Sequence, residues 1–271
     1  VAGRISSSDA LLNKIWKATN SSYLSNLFGY PTDCPQREKN GWTGDAHIAI
    51  ETGLYNYDGI TIYEKWLADH QDVQLPNGVL PAIIPTGGWG YHWGNGVDWT
   101  STVAIIPWNI YLFYGDKRLL ETMYDNIKRY VDYLNYTYPS GVTDWGLGDW
   151  IPIKSHSSKE LTSSIYYYID TDILAKAAKL LNKQQDYDKY SVLAEKIKTS
   201  INARFLNEET GIYCSGSQTE LSAPLYWGIV PESLKPLVAR NLAEKVDKDG
   251  SMDVGLLGSK TILNALSMNG Y

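Results

Sequence analysis

LLETMYDNIKRYVDYLNY, residues 119–136, places Leu120, Met123, Tyr124, Ile127, Tyr130, Val131 and Leu134 three and four apart, the spacing of one face of an α-helix. The same period recurs at Ile165, Ile169, Ile173, Leu174, Ala177 and Leu181, at Tyr190, Ala194, Ile197, Ile201 and Phe205, and at Leu234, Leu237, Val238, Leu242 and Val246. Nearer the N-terminus, Ser8 is placed to cap a helix carrying Leu12, Ile15, Trp16, Thr19, Tyr23 and Leu27, and Asp58 one carrying Ile60, Tyr63, Trp66 and Leu67. Weaker helical segments lie near 43–55, 100–114, 219–228 and 256–268, and no stretch alternates as a strand would. The expected fold class is all-α, with about ten helices.

The joints between these helices are of two kinds. Some are short and polar, such as 182–185, whereas 29–42, 75–99, 138–159 and 207–218 are long and rich in Gly, Pro or Trp. Helical hairpins with a long loop at every second joint collect those loops on one end of a closed ring, where function is expected. A toroid of hairpins normally closes with six pairs, so either two helices escape the pattern or the ring continues beyond Tyr271.

With 44% hydrophobic residues in 271, the chain can bury a sizeable core, as one large or two ordinary domains. Its aromatic side chains are 21 Tyr and 10 Trp against 3 Phe, which favours flat rings with a polar edge. Such rings suit either a core or a surface that grips something flat and hydroxylated. The net charge of −6, without any basic stripe, argues against nucleic acid as a partner. No apolar run approaches the roughly 18 residues of a membrane-spanning helix, and the N-terminus has no signal-peptide core. The compartment is left open between periplasmic, secreted and cytoplasmic. Cys34 and Cys214 are too few for a disulfide framework or a cysteine zinc site, and His47, His70, His92 and His156 form no HExxH, so neither metal nor cofactor is expected. Serine-hydrolase elbows, Walker loops and dinucleotide fingerprints are likewise missing.

The densest polar segment is DCPQREKNGWTGD, residues 33–45, which holds the carboxyls of Asp33, Glu38 and Asp45 with Arg37 and Trp42 in a loop running into a helix start. Cleaving a glycosidic bond takes one protonated carboxyl for the leaving oxygen and a second, ionised one. Crowded carboxylates raise one another's proton affinity, so such a trio can keep one of them neutral near about pH 6. The plainer reading is a solvated acidic loop with Asp45 in a helix's first turn. In GGWGYHWGNGVDW, residues 87–99, the Trp rings lie among five glycines in a segment that is hardly helical. Their rings suit sugar faces, with Asp98 taking hydroxyls, and DWGLGDW at 144–150 repeats the grouping. The alternative is that these aromatics plug the loops onto their own scaffold. Tyr166, Tyr167 and Tyr168 fall on a helix and face different directions, so at least one is expected in the core.

The 33–45 segment closely resembles the signature of bacterial α-L-rhamnosidases of glycoside hydrolase family 78. Similar wording continues in IIPWNIYLFYGD (105–116), GDW (148–150), the region from Leu193 to Gly216, GSQT (216–219) and VGLLGSKTILNALSMNGY (254–271), covering nearly the whole chain. The resemblance implies an (α/α)6 barrel that removes terminal α-L-rhamnose from oligosaccharides, polysaccharides or glycosides, with inversion and without a metal. It implies Glu38 as general acid, with Asp33, Arg37, Trp42 and Asp45 lining the rhamnose pocket. Trp150 becomes a pocket wall, and Trp99 a further contact in GVDWTST, where the family writes a WGDA-like segment. On this reading Asp33 and Asp45 keep Glu38 protonated, and Trp42, Trp99 and Trp150 face the C6 methyl of the sugar. The family's catalytic base is a Glu beyond the segment matched at 254–271. Residues 1–271 are therefore expected to be one catalytic-domain fragment without its last helices, holding the acid half of the site and poorly active alone. The alternatives are another (α/α)6 glycoside-active enzyme and a non-catalytic carbohydrate-binding domain.

Overall fold

In the computed structural model, which describes residues 2–271, the helical periods resolve into an all-α chain. Its helices are α1 (Ala10–Ser25), α2 (Thr43–Asn56), α3 (Ile60–Val73), the single turn α4 (Val97–Thr100), α5 (Thr102–Tyr114), α6 (Arg118–Thr137), α7 (Lys159–Leu180), α8 (Gln184–Phe205), α9 (Gln218–Tyr226), α10 (Lys235–Asp249) and α11 (Leu256–Met268). The only regular strands among the described residues are β1 (Leu206–Asn207) and β2 (Ile212–Tyr213), an antiparallel pair between α8 and α9. No described helix is long and apolar enough to cross a membrane. The chain divides into two compact units, the first running to Trp93 and resuming over Trp99–Tyr130, the second holding Gly94–Asp98 and Val131–Tyr271.

In the first unit the apolar helix α5 packs on α2 and α3, and α2 also meets α1. Val103, Ile106 and Ile110 of α5 are fully buried, as are Ile50 of α2 and Trp66 of α3. The Trp66 indole donates to the Ile84 carbonyl at 2.8 Å, which satisfies its one polar atom and ties the 74–96 loop to α3. Two expected helix caps move by one residue. Asp9, not Ser8, caps α1 by accepting from the Leu11 amide at 2.7 Å, and α3 begins after Gly59 rather than Asp58. The α1 stripe is also corrected: Leu12 and Ile15 are each 52% exposed, and the helix buries only Asn20 and Tyr23. Periodicity identifies the face a helix is able to bury, but a neighbour must be present to cover it.

The 119–136 stripe is realised throughout, with every one of its seven apolar residues buried in α6. In the second unit α7 packs on α8 and α9 and is buried almost all round, so Tyr166 and Tyr167 both enter the core while Tyr168 is half-buried. Helix α9 lies against α10 and α11, and its first turn joins three loops. Ser217 caps it in a capping box with Glu220. Glu220, 2% exposed, also accepts from the Ser158 amide at 2.8 Å and from the Ser215 amide and hydroxyl at 3.1 and 2.7 Å. Gln218 bonds Asp249 at 2.9 Å and receives the Asp253 amide at 2.9 Å. The GSQT stretch is thus an architectural joint.

Removing the Glu220 carboxylate strands several buried donors, so Glu220→Ala is expected to lower unfolding free energy by about 2–4 kcal/mol. Glu232, itself exposed where it bonds Lys235, should change stability little when replaced by Ala. Equal denaturant midpoints for the two variants would contradict this role.

Candidate active site

The acidic loop is closed on itself before α2 begins. The Asp33 amide donates to the Asn40 carbonyl at 3.1 Å, and the Asn40 amide returns to the Asp33 carboxylate at 2.9 Å. Beyond Asn40 the backbone runs beside residues 82–84: the Ile84 amide donates to the Gly41 carbonyl at 2.9 Å, and the Thr43 amide to the Ala82 carbonyl at 2.8 Å. Gly41 is required for that approach, because a Cβ there would lie 2.0 Å from the Ile84 carbonyl oxygen. Gly44 is required for another, since its Cβ would meet the Trp99 ring at 2.5 Å. The two glycines of the signature therefore fix where Trp42 and α2 start.

From this frame Trp42 donates its indole N–H to Oε2 of the exposed Glu38 at 3.0 Å, holding that carboxyl in one place. Asp45, in the first turn of α2, is half-buried. Its pKa is pushed up to about 6, first by burial and then by the charges of Asp33 and Glu38, against the pull of its own backbone hydrogen bond. The crowding expected among the three carboxyls is thus felt at Asp45. Arg37 stands exposed in the same loop. Trp42 also meets Trp93 with ring centroids 6.0 Å apart, and Trp93 stacks on Trp89 at 4.7 Å and 23°. Neither Trp89 nor Trp93 is distinguishable in the sequence from its loop neighbours, since a spacing of four in a non-helical segment does not announce a stack.

Two of the expected sugar contacts lie buried. Trp99 is 2% exposed and serves as the floor under Gly44. Asp98, in the second unit, is fully buried and accepts from the amides of Leu147 at 3.0 Å and Gly148 at 2.7 Å. Burial pushes its pKa up to about 7, while those amides and Lys159 pull the other way. A carboxyl engaged in this manner clamps the 144–150 loop. Trp150, by contrast, is 55% exposed. Its loop is held by Asp149, which accepts from the Thr219 hydroxyl at 2.5 Å and the Gly255 and Gly258 amides at 2.8 and 3.0 Å. The sequence offered no signal for that clamp, because its partners lie 70 to 109 residues away.

The family described as bacterial alpha-L-rhamnosidase 6 hairpin glycosidase domain matches residues 1–271. The chain belongs to that family. An α-L-rhamnosidase of Formosa agariphila is 30% identical over 99% of the chain, and one of Streptomyces avermitilis 27% identical over 96%. Among solved structures, the α-L-rhamnosidase of Dictyoglumus thermophilum superposes with a TM-score of 0.91 at 37% identity over 97% of the chain, which covers 31% of that protein. The Streptomyces avermitilis α-L-rhamnosidase complexed with L-rhamnose does so with a TM-score of 0.92 at 26% identity over 98% of the chain. The chain spans 30% and 25% of the length of the two curated relatives. Within this six-hairpin glycosidase domain, the expectation of a helical hairpin fold is met.

Folding raises the Asp45 pKa from 3.8 to about 6, so the folded rhamnosidase-family domain keeps a proton there that the unfolded chain has released. That contribution to stability is complete below the unfolded value and is lost as pH rises through about 6. Asp45→Asn is accordingly expected to unfold with wild type near pH 3.5 and at a higher temperature than wild type at pH 7. Parallel melting curves across that range would contradict the burial of a carboxyl here.

Proposed function

We propose that the chain is the sugar-cleaving domain of an inverting α-L-rhamnosidase acting on the terminal rhamnose of oligosaccharides, polysaccharides or glycosides, with Glu38 as general acid. One observation carries the reading: the Glu38 carboxyl is exposed to incoming substrate yet held by the Trp42 indole at 3.0 Å, inside the carboxyl-rich loop that marks the family. Glu38 gives its proton to the glycosidic oxygen as the bond from that oxygen to C1 breaks, so the aglycone departs as a neutral alcohol. Positive charge then develops across C1 and the ring oxygen. Water attacks C1 from the opposite face and passes its proton to a second carboxyl, which in inverting enzymes lies roughly 6.5–9.5 Å from the first.

Asp33, Asp45 and Arg37 hold rhamnose hydroxyls in this reading, and Trp42 offers an apolar ring face to the C6 methyl. Asp98 and Trp99 each brace their own surroundings in this reading and do not touch sugar. A metal is not needed for any step.

Glu38→Gln, made in the protein carrying these residues, is expected to lower turnover of an aryl α-L-rhamnoside by about 10²- to 10⁴-fold while L-rhamnose binding persists. Unchanged turnover would remove Glu38 from the acid role. Wild-type protein that cleaves aryl α-D-glucosides and no rhamnoside would remove the rhamnosidase reading itself.

A further inference from the structure

The 87–94 loop presents two indoles that the cleavage chemistry does not use. Trp89 and Trp93 are 46% and 58% exposed, and they stack face to face at 4.7 Å. Loop anchoring does not account for them, because a different aromatic does that work: Tyr91 is half-buried and its hydroxyl donates to the Val73 carbonyl at the end of α3, at 2.6 Å. Gly87, Gly88 and Gly90 have φ of 55°, 97° and 75°, and a Cβ on any of them would meet nothing within 4 Å. Those glycines serve the backbone course alone, and that course holds the stacked pair out from the surface. An exposed, ordered apolar platform of this kind marks a binding surface.

Its place defines its ligand. Contacts run from Glu38 through Trp42 to Trp93 and Trp89, all within the first unit. A general acid stands beside the leaving oxygen, so the group that departs with that oxygen meets what lies next to the acid. Residues 86–94, TGGWGYHWG, contain no carboxylate or amide side chain that would grip a polyol, and offer ring faces instead. We infer that Trp89 and Trp93 form a leaving-group subsite that selects planar aromatic aglycones by stacking. This rests on the rhamnosidase reading and deepens it.

The test compares wild type with Trp89→Ala, Trp93→Ala and the double variant, with Trp89→Phe as a check that the loop still folds. Three measurements are made: kcat/KM on a bicyclic aryl α-L-rhamnoside, kcat/KM on a rhamnosyl disaccharide, and calorimetric binding of the free bicyclic phenol. Stacking predicts a loss of about 5- to 10-fold in kcat/KM on the aryl substrate, carried mainly by KM, and little change on the disaccharide. It also predicts that the phenol binds wild type and Trp89→Phe but not the double variant. Equal losses on both substrates, a larger loss on the disaccharide, or phenol binding that survives the double substitution would overturn the subsite. Phenol binding at the indoles in a protein that hydrolyses no rhamnoside would leave the platform standing and remove the rhamnosidase reading alone.

Discussion

A Cβ on residue 41 would come within 2.0 Å of the Ile84 carbonyl oxygen, and one on residue 44 within 2.5 Å of the Trp99 ring. These two close approaches press the acidic loop onto the 82–84 segment and the start of α2 onto Trp99, and the rest of the candidate site follows from them. Trp42 sits between the two glycines, so its ring has one available course. That course directs the indole N–H to Glu38 and brings the ring to 6.0 Å from Trp93, tilted by 50°. A loop with this much backbone pairing can present a charged side chain to solvent in a defined position, which a freely moving loop cannot.

The second unit reaches the same end with carboxyls that are buried or half-buried and fully bonded. Asp98 and Asp149 each accept two or more donors from chain segments remote in sequence, Glu220 accepts one such donor from Ser158 beside those of Ser215 nearby, and each holds a long loop against the helices. Burying a carboxyl is costly unless its oxygens are bonded, and backbone amides with no helical partner are costly in the same way. Pairing the two groups removes both costs at once and fixes the loop that carries Trp150. The acidic residues of this domain thus divide by exposure into those that support loops and those, like Glu38, that face solvent.

The helices were legible because their cause is local. A stripe such as Leu120 to Leu134 needs only one apolar face and a core to receive it, and α6 buries all of it. Helix α1 has an equally good stripe, yet Leu12 and Ile15 lie open, since burial depends on a neighbour that periodicity does not specify. The acidic loop was legible as a carboxyl cluster for the same local reason, three carboxyls within thirteen residues. What each residue does there was less so. Asp98 and Trp99 read as sugar contacts from their Gly- and Trp-rich setting, but the partners that bury them lie at Leu147, Gly148 and Gly44. Stacking of Trp89 on Trp93 depends on the left-handed glycines between and around them, and sequence records the glycines without the path they trace.

If Glu38 protonates the departing oxygen, its value depends on how badly that oxygen needs a proton. The most direct measurement is therefore the effect of Glu38→Gln on two substrates, an alkyl α-L-rhamnoside and 2,4-dinitrophenyl α-L-rhamnoside. Acid catalysis by Glu38 predicts a severe loss of kcat/KM on the alkyl substrate and a much smaller one on the dinitrophenyl substrate, whose leaving group departs without help. Equal losses on both would contradict it.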